Sequence, residues 1–134
     1  MLAKQISVFV ENSKGKLAEI TRILADNHVN ITALSIADTT SFGILRIIVE
    51  DTEYTARVLK DAGLTVSVTD VLSLQIEDRP GGLAGALQIL ADNDIDVDYA
   101  YAFISKATDK ANVVIRVEKD SEAEKLLKEA GYIA

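Results

Sequence analysis

The stretch Glu77-Asp78-Arg79-Pro80-Gly81-Gly82-Leu83 predicts the organisation of the whole chain. It follows a segment of alternating apolar residues and precedes an apolar pattern of helical period, so it is expected to be a tight loop joining a strand to a helix. A weaker version of it, Glu11-Asn12-Ser13-Lys14-Gly15-Lys16-Leu17, stands 66 positions earlier. The chain is therefore expected to contain two copies of one unit.

Two further pairs of identical or nearly identical segments support this repeat. The pentapeptide ILADN at residues 23–27 recurs at 89–93, and the KDAG segment at 60–63 recurs as KEAG at 128–131. The first pair is 66 positions apart and the second pair 68, so the second copy carries two extra residues, which we place in the polar segment 105–110. We predict two domains, residues 1–69 and 70–134, of a size typical of small domains.

The apolar pattern of each copy predicts strand, helix, strand, strand, helix and strand. Apolar residues recur at every second position in 6–10 and 72–76, with Ser7 and Phe9 between them in the first copy, whereas Leu17, Ile20 and Leu24 have helical spacing. Second helices are expected at about residues 52–62 and 122–130, the latter opened by a capping box of Ser121 and Glu124. This βαββαβ order predicts an α+β fold of two ferredoxin-like units, each an antiparallel four-stranded sheet with both helices on one face.

The fourth strand of each copy is a special case. In the first copy it is expected at residues 64–68, and it leads through Thr69-Asp70 into the first strand of the second copy. The second copy ends with only Tyr132-Ile133-Ala134 for its own fourth strand. That strand is therefore either very short or replaced by the N-terminal segment or another chain.

Composition excludes several classes of function. The 134 residues include no cysteine and a single histidine, His28, so disulfides, cysteine nucleophiles and multi-histidine metal sites within one chain are excluded. We expect neither a metal ion nor a cofactor. The net charge of −7 disfavours nucleic acid as a partner. The N-terminus lacks a signal-peptide pattern, and no apolar run approaches the roughly 20 residues of a membrane span, so a cytoplasmic protein without membrane association is expected.

The loop at residues 77–83 has the chemistry of a small anion site. The first N–H groups of a helix lack intrahelical partners and attract anions such as carboxylates. Gly81 and Gly82 leave the backbone open to a ligand, and Pro80 presets the loop without removing a needed donor. Asp78 is expected either to cap the helix or to accept from a ligand ammonium, and Arg79 to pair with a carboxylate or an acidic surface. This pattern indicates an amino-acid pocket, unless the loop is an ordinary strand-to-helix turn.

The repeated unit resembles the ACT domain. The resemblance is carried by the loop Asp-Arg-Pro-Gly-Gly-Leu-Ala, the helix after it and the Asn/Asp-Ile/Val pair that opens strand two. Two such units in one chain are similar to the small stand-alone tandem ACT proteins. The first loop is the weaker match, since Ser13-Lys14 stand where the second loop has Arg79-Pro80.

ACT domains sense ligands, typically amino acids bound between two units by the strand-one/helix-one loop and the start of a neighbour's strand two. In the first copy the resemblance implies a ligand site of Asn12, Ser13, Lys14, Gly15, Lys16, Asn30 and Ile31. In the second copy it implies Asp78, Arg79, Pro80, Gly81, Gly82, Leu83, Asp96 and Val97.

Two further patterns have alternative interpretations. Tyr99, Tyr101 and Phe103 alternate on one strand, either as an aromatic wall beside a ligand or as packing between sheets. Small residues take the matching places in the first copy, at 33, 35 and 37. The acidic run at residues 92–98 is expected to be a solvated turn rather than a divalent-ion site.

These patterns predict a non-enzymatic, cytoplasmic, ligand-sensing regulatory protein that binds an amino acid or a similar small carboxylate. A homodimer and a metabolic enzyme as regulated partner are expected. The alternative is an oligomerisation or adaptor module that docks such an enzyme without a ligand. An enzyme is disfavoured because no nucleophile–base pair or metal cluster is visible in the sequence.

Overall fold

The apolar patterns of the sequence form six strands and four helices in the computed structural model, which describes residues 2–11, 13–38, 41–103 and 110–133. The chain divides into a first unit, Lys4–Thr69, and a second unit composed of Met1–Ala3 and Asp70–Ala134. The elements in chain order are β1 (Leu2–Glu11), α1 (Lys16–Asp26), β2 (Ile31–Asp38), β3 (Phe42–Val49), α2 (Thr52–Asp61), β4 (Val66–Glu77), α3 (Gly82–Asp92), β5 (Tyr99–Phe103), β6 (Lys110–Arg116) and α4 (Asp120–Glu129).

The first unit forms an antiparallel sheet with the strand order β2-β3-β1-β4. Alternation buries Ile6 and Val8 of β1 on the side that packs against the helices. On that side α1 contributes Ile20 and Leu24, and α2 contributes Leu59. The position of β4 beside β1 is shown by the Phe9 N–H, which donates to the carbonyl of Thr65 at 3.0 Å.

The second unit repeats this arrangement with β4, β6 and β5 as neighbouring antiparallel strands. Its core contains Leu72 and Ile115 from the sheet, Leu90 from α3 and Leu127 from α4. Leu2 also packs against this core, so the N-terminal segment belongs to the second unit. This agrees with one of the alternatives that the sequence left open for the fourth strand of that unit. The α+β class and the ferredoxin-like character of the units are confirmed.

Two local predictions were wrong. Residues 66–77 form one uninterrupted strand rather than two strands that meet at Thr69-Asp70. Helix α4 begins at Asp120, so Ser121 lies inside it, and no side chain caps its N-terminus; the predicted capping box is absent. The polar segment expected to hold the two extra residues lies outside the described residues, apart from Lys110, with which β6 begins.

Candidate functional site

The two loops between strand and helix have the same backbone hydrogen bonds. In the second loop the Arg79 N–H donates to the Glu77 carbonyl at 2.9 Å, and the Gly82 N–H donates to the Arg79 carbonyl at 3.0 Å. The residues 66 positions earlier make the same two bonds, at 2.8 and 3.3 Å. The first loop therefore adopts the same turn without the proline.

Each loop ends in a glycine that serves as the N-cap of the following helix. Gly15 and Gly81 have φ angles of 82° and 86°. These angles lie in the left-handed region, which residues with a Cβ atom rarely adopt. No side chain caps α1 or α3, so Asp78 does not take the capping role considered for it. The first N–H of each helix, at Lys16 and Gly82, already donates within its loop, so the capacity to attract an anion belongs to the N–H groups that follow in the first turn.

Position 82 requires a glycine because the neighbouring backbone leaves no room for a Cβ atom, whether or not a ligand binds. A Cβ atom built on Gly82 would lie 2.0 Å from the Glu77 carbonyl oxygen. Lys16 stands at the matching place in the first loop, carries a side chain there, and forms an ion pair with Glu19 at 3.6 Å. The two loops thus agree in hydrogen bonding and differ in how closely the helix start approaches the strand end.

A cavity of about 240 Å³ lies beside the second loop. Of the predicted site residues it is lined by Arg79, Gly81 and Gly82. The Glu77 carboxylate accepts a hydrogen bond from the Arg79 side chain, and this bond together with the charge of Glu77 raises the pKa of the Arg79 guanidinium. Arg79 therefore stays cationic at the mouth of the cavity.

Five further described residues outside the loop line this cavity, and the loop pattern did not predict them: Gln75, Lys110, Ala130, Gly131 and Tyr132. Lys110 reaches it because β6 pairs with β4 in a register that places Lys110 opposite Glu77. Tyr132 follows α4, where its carbonyl accepts from the Gln75 N–H at 2.9 Å. The cavity thus combines two cations with one carboxylate, a charge pattern that fits a zwitterion.

The phenol of Tyr132 lies against the first turn of α3. A Cβ atom built on Gly85 would be 2.7 Å from the Tyr132 hydroxyl oxygen, so only a glycine allows this approach without a shift. The Tyr132 N–H also donates to the Leu127 carbonyl at 2.9 Å. The turn after α4 therefore places the Tyr132 hydroxyl group beside the first turn of α3.

A comparable cavity of about 290 Å³ lies beside the first loop. Ser13 and Lys16 line it, together with Glu11 and with Ile36 and Asp38 from the end of β2. Of the other residues predicted in this loop, Lys14 and Gly15 are exposed outside this lining, and Asn12 lies outside the described residues.

The start of strand two lies far from the loop of the same unit. Ile31 pairs with Val49 at one end of β3, whereas Asp38 pairs with Gly43, which also pairs with Val10 beside the first loop. Ile31 and Asp38 are seven residues apart, about 23 Å along a strand. A single unit therefore does not bring its loop and the start of its strand two together.

The strand-two residues occupy other surroundings. Asn30 lines a cavity of about 560 Å³ with His28 and Tyr54, and Asp96 lines one of about 250 Å³. Ile31 and Val97 are partly buried against the cores of the first and second units. These two apolar side chains therefore have a packing role within their own units.

The remaining predicted residues of the second loop, Asp78, Pro80 and Leu83, are exposed and are not among the described residues lining its cavity. The rings of Tyr99 and Tyr101 stack at 6.5 Å between centroids. Their strand partners are Arg116 and Val114, which places them on the sheet face opposite the helices. The described lining of the cavity does not include these aromatic rings.

Across the described ranges, no three side chains of His, Asp or Glu are grouped as a metal site would need, and the acidic run at residues 92–98 is no exception. The described helices include none with the length and apolar character needed to cross a membrane.

Comparison with known proteins gives the family. By sequence, residues 1–134 match the ACT domain pair, which confirms the resemblance. A search of curated proteins finds no significant match. Protein BT0572 from Bacteroides thetaiotaomicron has a solved structure that is 39% identical with a TM-score of 0.92, covering 99% of this chain and 91% of that chain.

Two further solved structures share the fold at low sequence identity. The regulatory subunit of aspartate kinase from Thermus thermophilus is 16% identical with a TM-score of 0.69, covering 98% of this chain and 95% of that chain. A structure of aspartokinase alpha and beta subunits is 18% identical with a TM-score of 0.62, covering 97% and 92%. From the match over its whole length, the chain belongs to the family of ACT domain pairs.

Proposed function

We propose that this protein is a non-enzymatic, cytoplasmic regulator that senses an amino acid or a similar small carboxylate. The observation that carries the proposal is the cavity beside the second loop, where Arg79 and Lys110 face the uncapped start of α3. Membership of a family whose fold is shared with the regulatory subunit of an aspartate kinase supports a regulatory role.

The ligand carboxylate is bound by the cations and by the helix start. Arg79 and Lys110 supply positive charge, and the first-turn N–H groups of α3 that follow Gly82 supply donors at the positive end of the helix dipole. Glu77 accepts from the ligand ammonium, and the Tyr132 hydroxyl is a further polar contact. A volume of about 240 Å³ fits an amino acid better than a larger ligand, for which cavities of about 300–1,000 Å³ are usual.

The complete site is proposed to need a second copy of the chain. The start of a neighbour's strand two, Asn30 and Ile31 or Asp96 and Val97, would then face a loop. Two large apolar side chains on one face of the edge strand β2 are exposed, Leu34 at 46% and Ile36 at 49% of full exposure, which supports a homodimer. Ligand binding would favour one arrangement of the copies and thereby regulate a metabolic enzyme.

The second candidate function is an adaptor that docks an enzyme without a ligand. It is favoured by the exposed aromatic pair of Phe9 and Phe42, whose ring centroids are 5.3 Å apart. In that case the loops are only turns, and no small molecule perturbs them.

The proposal is tested by recording ¹H–¹⁵N spectra while titrating the labelled protein with each of the twenty amino acids. One amino acid is expected to shift the amide signals of Arg79 and of residues 81–85. The Arg79→Ala/Lys110→Ala variant should lose this response, and Lys14→Ala, which removes a cation outside the described lining of the first-loop cavity, should keep it. Spectra that do not change with any amino acid at millimolar concentration would favour the adaptor.

A further inference from the structure

Val68 is exposed at a position where a strand normally meets the helices. It lies two residues after Val66 on β4, so both side chains point to the same face of the sheet. Val66 packs against the core of the first unit, whereas Val68 is 46% exposed. The helix layer of the first unit therefore leaves an opening above Val68.

This opening is a groove of about 600 Å³ between α2 and the strands β1 and β4. Each described residue that lines it belongs to the first unit, and none of these residues lines the described part of either loop cavity. Val68 and Ala56 provide apolar surface, and Thr52 adds a hydroxyl group. The volume lies within the range of about 300–1,000 Å³ typical of small-molecule sites.

Three cations line the groove, Lys4, Arg57 and Lys60, together with two carboxylates, Glu53 and Asp61. Arg57 and Lys60 are three residues apart on α2, hence neighbours on one helix face. Neither forms an ion pair among the described residues, although Glu53 and Asp61 lie four residues to either side of Arg57. The described lining therefore carries one positive charge in excess, in a chain with a net charge of −7.

We infer that this groove binds a small amphiphilic anion, a carboxylate that carries an apolar chain or ring. The apolar part covers Val68, which removes this exposed side chain from water, and it lies beside the buried Ala56. The carboxylate lies between Arg57 and Lys60, where charge-assisted hydrogen bonds hold it. This site is separate from the amino-acid cavity proposed above. Its ligand differs from an amino acid because it carries no ammonium group that would need a partner.

The matching helix of the second unit lacks this combination. Helix α4 keeps the two cations, Lys125 and Lys128, 68 positions after Arg57 and Lys60. At the place of Ala56, however, it carries Glu124, which replaces apolar surface by a negative charge. The two helices therefore provide a matched pair, with positive charges at the same two places but an apolar residue beside them only in α2.

The test is calorimetric titration of the whole chain with octanoate and, as a matched cation, octylamine. Octanoate should bind with one site and octylamine should not. Arg57→Gln/Lys60→Gln should weaken octanoate binding by at least about tenfold, the usual effect of losing charge-assisted contacts. Lys125→Gln/Lys128→Gln should leave it unchanged. Equal effects of both double variants, or equal binding of octylamine, would overturn the inference.

A second variant tests the apolar floor without relying on the cations. Val68→Glu places a carboxylate at an exposed position, so the fold should persist, as checked by circular dichroism, while octanoate binding is lost. Arg79→Ala/Lys110→Ala should bind octanoate normally, which separates this groove from the loop cavity. Undiminished binding to folded Val68→Glu would contradict the placement of the ligand.

Discussion

Substituting Gly82 tests the account of the second loop at a single atom. In Gly82→Ala, the new Cβ would lie 2.0 Å from the Glu77 carbonyl oxygen, well inside the 3.0 Å below which real Cβ contacts are essentially absent. The strand end and the helix start must therefore move apart by about 1 Å, since a backbone oxygen cannot rotate away. Overpacking of this kind typically costs about 1–3 kcal/mol.

The same movement disturbs the hydrogen bond that the Glu77 carbonyl accepts from the Arg79 N–H, which adds about 1 kcal/mol. We expect Gly82→Ala to lower the free energy of unfolding by about 2–4 kcal/mol. The assay is urea denaturation followed by circular dichroism. Lys16→Ala is the control at the matching place in the first loop, where a Cβ is already present, and should change stability by less than about 0.5 kcal/mol. Equal stability of Gly82→Ala and the wild type would refute the reasoning.

Three further substitutions test other parts of the fold by the same denaturation assay. Asp51→Ala should cost about 0.5–2 kcal/mol because the Asp51 carboxylate caps α2 through the Tyr54 N–H at 3.1 Å; Lys119→Ala, at the uncapped start of α4, should cost less, and the reverse order would contradict the assignment. Leu127→Ala should cost about 2–5 kcal/mol because this side chain is fully buried, and a loss below about 1 kcal/mol would be inconsistent with its place in the core. Asp98→Asn removes an ion pair whose side chains are partly exposed, so a loss greater than about 1 kcal/mol would be unexpected.

The elements that the sequence predicted well have strong local signals. Helix α1 begins and ends where the spacing of Leu17, Ile20 and Leu24 and the Asp-Asn pair placed it. Gly63 and Gly131, each just beyond the end of a helix, have φ angles of 87°. In each of these cases neighbouring residues determine the local conformation, so periodicity and glycine placement are sufficient.

The predictions that failed depended on longer-range information. The Thr69-Asp70 pair has the composition of a turn. The apolar residues before and after it, however, are separated by even numbers of positions, as they are along a single strand. One continuous strand therefore contributes residues to the core of each unit. Ser121 fits a capping box by spacing, but Asp120 already begins the helix. Sequence spacing alone cannot distinguish adjacent candidate caps.

The candidate site was predictable only where the chain itself makes the loop. Arg79, Gly81 and Gly82 lie within four consecutive residues, so a local motif is sufficient to predict that they line the cavity together. Lys110 and Tyr132 reach it through the register of β6 and through the turn after α4. Both depend on pairing between distant segments, which the sequence pattern does not specify. Predicting the register in which the third strand of the second copy pairs with the strand that ends at Glu77 would have identified Lys110.

The measurement that tests the central claim most directly is thermal unfolding of the purified protein against the twenty amino acids, with a few aryl and 2-oxo acids. A ligand at about 100 times its dissociation constant stabilises the folded state by about 2.7 kcal/mol, which raises the Tm of a protein this size by several degrees. We predict that one class of amino acid raises the Tm, and that Arg79→Ala/Lys110→Ala abolishes this increase. An unchanged Tm across the panel, or the same increase in the variant, would contradict a sensor built on the second loop.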